Sequence, residues 1–343
     1  MYNGYYYYPG YPQYPGGENP LIERQRREAA EKKDIRSFGI VAGACVLGYV
    51  LIQQALSLII MLFPSMREAY YTDMVFQNAT GILFSVGGVM VPFLIGARYL
   101  KKKKDTDVFN FGRPKSSSMM LLLAAAGFAL CLVANYISAY VSIGLESLGF
   151  ELSGGDYEAP EGVLARVIYI LEIAVIPPLS EELAARGVVM QPLRKYGDTF
   201  AVLCSAMVFA IMHGNLVQAP FAFLAGVIIG YAVCISGSIW TGIIIHFLNN
   251  FYAVALEFVL GEIADETAQN IVYIASEIAL IAVGLVCLAA AISKFGKDGL
   301  KPAKKESALT AGGKAKAFIL NPAMIIALIS MVYITSLYVG YKG

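Results

Sequence analysis

The chain has 343 residues, of which 57% are apolar and only 15% charged, and its formal net charge is +1. Its mean hydropathy is +0.61. A soluble domain carries about a quarter charged residues, so a soluble globule is excluded. Apolar runs of about 20 residues match the ~30 Å hydrocarbon layer, and these runs lack the period-two alternation of a membrane barrel. The fold class is therefore all-α, a polytopic integral membrane helical bundle in contact with the lipid bilayer.

In chain order, residues 1–20 form a Tyr/Pro/Gly-rich segment with little to pack, and a disordered cytosolic tail is expected there. Residues 21–36 are charged and predict a surface helix leading into the first span. Apolar runs then lie near 37–63, 79–99, 118–145, 163–180, 199–213, 221–236, 238–259, 271–293 and 317–340. Two of them, 199–213 and 221–236, are short enough to be re-entrant or tilted, so eight or nine crossings are expected. Accessory spans thus occupy 37–162, a central core 163–255, and a further span 256–293. Residues 294–316, rich in Lys, Gly and Ala, predict a flexible cytosolic linker before a last, appended span in 317–343. Five cysteines lie in or beside apolar runs without a CxxC pair and are expected as small core residues.

Basic residues mark alternate connections. Arg24, Arg26, Arg27, Lys32, Lys33 and Arg36 precede the first run, and Arg98, Lys101 to Lys104, Arg113 and Lys115 follow the second. Arg186, Arg194 and Lys195 follow the fourth; Lys294, Lys297, Lys301, Lys304, Lys305, Lys314 and Lys316 follow the eighth. The intervening connections are acidic, with Glu146, Glu151, Asp156, Glu158 and Glu161 in one and Glu262, Asp265 and Glu266 in another. Twenty-three of the 26 Lys and Arg residues thus fall on one side. The positive-inside rule makes that side cytosolic, with the N-terminus inside. The chain is expected to be a multi-pass protein of the plasma membrane. The basic clusters are spent on topology, and no nucleic-acid partner is expected.

Ionisable residues at membrane depth mark functional sites by default. The chain has two histidines, His213 and His246, and both fall in apolar runs. His213 follows Phe209 by four residues and His246 precedes Asn250 by four, so each pair shares a helical face. A third element is PPLSEELAARGVV, residues 177–189. Pro177 and Pro178 predict a kink or helix end, Ser180 an N-cap for a new turn, and Glu182 with Arg186 an i, i+4 ion pair. Glu181 points about 100° away around the helix and is free for another partner. A carboxylate and an imidazole can activate water, directly or through a metal, while an imidazole and a carboxamide one turn apart can hold an oxyanion. No GxSxG, HExxH or Walker A pattern is present. Glu172, Glu277 and the Gly226…Gly230 pair are read as structural, the glycines allowing close helix packing.

EExxxR (Glu181, Glu182, Arg186), FxxxH (Phe209, His213) and HxxxN (His246, Asn250), in this order, resemble the CPBP family. That family groups CAAX prenyl endopeptidases with bacterial bacteriocin-processing and immunity (Abi) proteins, and the resemblance covers about residues 163–255. It implies an intramembrane endopeptidase in which Glu181 activates water, His213 assists, and His246 with Asn250 forms the oxyanion site. Glu182 and Arg186 would support them, and Phe209 would pack beside His213. Zinc is a candidate cofactor, with Glu181, Glu182, His213 and His246 as candidate ligands. Without an adjacent pair such as HxxxH, a metal-free reaction is favoured. The implied substrate is a peptide or membrane-anchored protein, such as a lipidated protein or a bacteriocin or pheromone precursor. The competing readings are a non-catalytic peptide-binding immunity or scaffold protein and a proton-coupled transporter. The transporter predicts an internal repeat, and none is visible.

One tension follows from the span limits. His213 lies ~21 Å into its run at 1.5 Å per residue, whereas Glu181 at the end of the fourth run lies near the inner face. Either the fifth segment begins outside the hydrocarbon, or the fourth helix continues past Glu181.

Overall fold

The computed structural model describes residues 19–341 except 107, 110–111 and 154–158; the Tyr-rich tail lies outside the described residues apart from its last two. The described chain is a helical bundle. Its helices are α1 (Pro20–Leu62), α2 (Pro64–Thr72), α3 (Met74–Lys104), α4 (Ser117–Ser147), α5 (Val163–Tyr196), α6 (Asp198–Met212), α7 (Ala219–Ser236), α8 (Ile239–Gly261), α9 (Glu266–Gly299), α10 (Ala311–Ile319) and α11 (Pro322–Ser336). Seven are long and apolar enough to cross a membrane, and α10 with α11, bent by 75°, adds an eighth. α6, a shorter apolar helix, is buried in the middle of the bundle through Ala201, Val202, Ala206 and Val208. Helices facing lipid leave large apolar side chains exposed, as Ile278, Val283, Leu285 and Val286 do on α9. Two three-residue strands, β1 (Phe150–Leu152) and β2 (Val339–Tyr341), pair antiparallel with Phe150 opposite Tyr341.

The lead-in residues are the first turns of α1 itself, so the span and its charged approach form one helix of 43 residues. Asp34 there accepts hydrogen bonds from Lys104 (3.0 Å), from the Tyr196 hydroxyl (2.8 Å) and from Lys195. The basic ends of α1, α3 and α5 therefore converge at one end of the bundle, as the charge pattern requires. Arg186 departs from that pattern: it is not in a connection but wholly buried within α5.

The linker is pinned where a flexible segment was expected. Glu31 accepts from the Ser307 hydroxyl (2.7 Å) and the Ala308 N–H (3.0 Å), Asp198 from the Ala303 N–H (3.0 Å), and Lys314 donates to the Tyr196 carbonyl (2.8 Å). The last span is likewise no appendage. Gly39 and Gly43 of α1 let the backbone of Phe318 and Met324 approach so closely that a Cβ at either position would overlap it. Met324, Ala327 and Met331 are buried in that contact.

α5 differs most from the sequence expectation. Pro177 and Pro178 neither end the helix nor start a new one. A π-helical turn over Leu171–Val175 precedes them, with the Ile176 N–H donating to the Leu171 carbonyl. The wider turn absorbs the two missing N–H groups, a use of π-bulges common at functional sites. Ser180 is consequently not a cap; it lies inside the helix, donating to the Ile176 carbonyl (3.0 Å) and meeting Ser85 of α3 at 2.9 Å. A second π segment, Leu183–Met190, follows.

The α1–α11 contact gives a direct test. Gly43→Val should separate the two helices and lower stability by ~1–3 kcal/mol, as overpacking does. A fall of several degrees in the thermal unfolding midpoint of the purified protein is expected; an unchanged midpoint would show that the contact carries no stability.

Candidate active site

Continuation of α5 removes the depth conflict. α5 and α6 are antiparallel and turn at Gly197, whose φ of 114° suits a residue without a Cβ. Glu181 and His213 each lie sixteen positions from that turn, so both sit roughly 24 Å along their helices at ~1.5 Å per residue. They line one cavity of about 560 Å³ with Phe209, His246 and Asn250.

Behind the cavity wall lies a buried ion pair. Glu182 and Arg186 are both 0% exposed, with Arg186 Nη1 donating to Glu182 Oε1 at 2.7 Å. Arg186 Nη2 donates to the Gly226 carbonyl of α7 (3.1 Å), and the guanidinium lies 4.8 Å from the Phe209 ring centroid. The cation thus has a carboxylate, a carbonyl and an aromatic face, the environment a desolvated arginine requires. Gly226 permits this approach, since a Cβ there would stand 3.0 Å from Ala206 of α6. Gly230 packs in the same way on Val202, which is the close contact expected for this glycine pair.

The same Glu182 oxygen holds His246, whose Nδ1 lies 3.1 Å away. Glu182 therefore partners His246 as well as Arg186. An Nδ1–H donated to a carboxylate leaves Nε2 facing the cavity, where Glu181 Oε2 stands at 4.0 Å. His213 is oriented in a parallel way, its Nδ1 lying 2.8 Å from the Phe209 carbonyl and its ring edge-on to Phe209 at 4.9 Å. The Phe209 ring also meets His246 edge-on at 5.7 Å. One phenyl ring accordingly separates the imidazoles and covers the arginine.

Asn250 has a structural duty as well. Its Nδ2 donates to the Ile173 carbonyl at 2.9 Å. In a regular helix that carbonyl would accept from the N–H of residue 177, which is proline and has none. Asn249 donates to Asn250 Oδ1 at 3.3 Å and itself lines the cavity.

Three further lining residues escaped sequence reasoning. Asn249 was overshadowed by its neighbour, although HFLNN places both amides within one turn of His246. Tyr49 of α1 borders a smaller adjoining cavity with Glu181 and His213, and its hydroxyl donates to the Met212 carbonyl (2.9 Å). Its tyrosine is one of 22 in the chain, so nothing in the sequence distinguished it. Gln218 closes the turn after His213, its N–H donating to Asn215 Oδ1 at 2.8 Å.

The donor set does not make a metal cradle. Glu182 Oε1 is taken by Arg186 and His246, and among the described residues no three of His, Cys, Asp and Glu converge on one point.

Residues 163–252, the stretch that carries this constellation, match the family described as "Type II CAAX prenyl endopeptidase Rce1-like". This match, over about a quarter of the chain, supports a protease of the CPBP type. A relative from Bacillus subtilis (strain 168), named "Putative membrane peptidase YdiL", is 24% identical over 217 residues, covering 62% of this chain and 87% of its own. No solved structure matches the chain. The CPBP segment runs from α5 to α8, so α1, which supplies Tyr49, lies outside it.

Glycine at 242 leaves room for the Glu182 carboxylate. A Cβ there would stand 2.8 Å from Glu182 Oε2 and 2.8 Å from Val233. Gly242→Ala should displace Glu182 and lower proteolytic product at least tenfold, measured by mass spectrometry of cells expressing it. Gly261→Ala, with open space around its Cβ, should leave product unchanged. Equal yields from the two variants would refute the packing argument.

Proposed function

We propose that this protein is an intramembrane endopeptidase that hydrolyses a peptide bond in or beside the membrane by water activated at Glu181, without a covalent intermediate. The observation that carries the reading is the meeting of Glu181, His213, His246 and Asn250 around one cavity. Glu181 takes a proton from water, with His213 Nε2 holding the water. The hydroxide adds to the scissile carbonyl, and the oxyanion is held by the Nε2–H of His246, acting as an imidazolium between the carboxylates of Glu181 and Glu182, and by the free amide hydrogens of Asn250 and Asn249. Glu181 then returns its proton to the leaving amine, the C–N bond breaks, and a carboxylate and an amine leave. Glu182 and Arg186 position His246, and Phe209 sets the angle between the rings.

The substrate reading is a peptide or membrane-anchored protein, including lipidated proteins and bacteriocin or pheromone precursors. The catalytic core is residues 163–255, the membrane is the plasma membrane, and the basic end of the bundle with the N-terminus faces the cytosol. Binding without cleavage, as in an immunity protein, is the second reading, since the same cavity would accept a peptide.

Comparative peptidomics separates them. Cells expressing the wild type should yield cleavage products that fall at least a hundredfold with Glu181→Gln and at least tenfold with His213→Ala, at equal protein level. Identical peptide profiles for all three proteins would remove the proteolytic reading and leave the binding one.

A further inference from the structure

The main cavity has a side branch. A second cavity of about 460 Å³ adjoins it between α4, α8 and α9, and the two share Phe221, Asn249, Ala253 and Glu257 in their walls. On α8 the sharing follows from helical geometry, because Asn249, Ala253 and Glu257 recur every four residues and form one stripe.

Two carboxylates line the branch, Glu257 where it joins the main cavity and Glu277 beyond it. Glu277 of α9 is only 2% exposed and lines the branch beside Tyr273, yet its Oε2 has no partner among the described residues. Glu257 accepts from the Tyr169 hydroxyl at 2.8 Å through Oε2, while Oε1 is buried and also unpartnered. Neither lysine nor arginine is among the described residues lining either cavity. Arg166, near the same end of α8, is committed to Glu262 at 3.2 Å. Carboxylates at membrane depth are costly unless paired, and the unpartnered oxygens point to a pairing group that comes from outside the chain.

We propose that this side cavity, lined by Glu257 and Glu277, binds a lysine or arginine side chain of the peptide substrate. The inference rests on the proteolytic reading and specifies its substrate class: a peptide with a basic residue at a set distance from the scissile bond. His246 and Glu257 are eleven residues apart on α8, or roughly 16 Å at 1.5 Å per residue. An extended peptide advances ~3.3–3.6 Å per residue, which puts the basic residue about three to five positions from the cut. A long aliphatic stem suits the apolar wall contributed by Leu132, Leu256 and Leu260.

Binding tests this apart from catalysis. The full chain carrying Glu181→Gln, in lipid nanodiscs, is titrated with fluorescent ten-residue peptides that differ only in one scanned position, lysine or norleucine. At one position the lysine peptide should bind at least tenfold tighter. Glu277→Gln or Glu257→Gln should bring the ratio to within twofold of one, and Glu277→Asp, which keeps the charge, should retain the preference. A ratio within twofold of one at every position, or a preference that survives both Gln variants, would overturn the proposal. The wild type is then given the same peptides. Lysine-selective binding without cleavage supports the anionic cavity and defeats the proteolytic reading, whereas cleavage without selective binding does the reverse.

Discussion

A glutamate and an arginine four residues apart, both fully removed from solvent and 2.7 Å from each other, hold the centre of this bundle. Deleting one partner of a buried pair leaves an uncompensated charge, typically a loss of ~3–5 kcal/mol, so neither charge can be removed alone. The pair also fixes its surroundings. Arg186 reaches the Gly226 carbonyl of α7 and the face of Phe209 on α6, and Glu182 reaches His246 on α8. Four helices are registered by one ionic contact, and the glycines at 226, 230 and 242 are where their backbones come close enough to meet it.

The second constraint is the proline pair. Pro177 leaves the Ile173 carbonyl without its helical donor, and Asn250 supplies one from α8. The π turn beside it lets α5 run on to Tyr196 and carry Glu181 to the depth at which α6 presents His213. A break in backbone pairing is thus converted into a tie between the two helices that form the long walls of the cavity. Asn250 serves the fold through one amide hydrogen and leaves the other for the proposed chemistry.

The bundle and the residues that meet around the candidate site were legible because they depend on composition and i, i+4 spacing. Long apolar runs announced the spans, and the two histidines stood out because no others exist in the chain. Glu182 with Arg186 followed from helical geometry alone. The path of α5 was not legible: prolines usually stop or bend a helix, and their rescue needs Asn250, 73 positions later. The same limit hid the linker, whose basic composition reads as a flexible tether until Glu31 and Asp198 are seen capping its N–H groups. Tyr49 and the side branch to Glu277 arise from tertiary contacts of α1 and α9 with the core, for which local spacing carries no signal.

The central claim is that the guanidinium of Arg186, by binding Glu182 and the Gly226 carbonyl together, sets the imidazole of His246 for reaction. The most direct measurement is kcat/KM for peptide cleavage by Arg186→Lys in lipid vesicles, alongside its unfolding midpoint. Lysine keeps the charge but cannot hold both acceptors in the planar fork of arginine. The account predicts a loss of at least tenfold in kcat/KM from a protein that still folds. A folded Arg186→Lys protein with undiminished kcat/KM would contradict it.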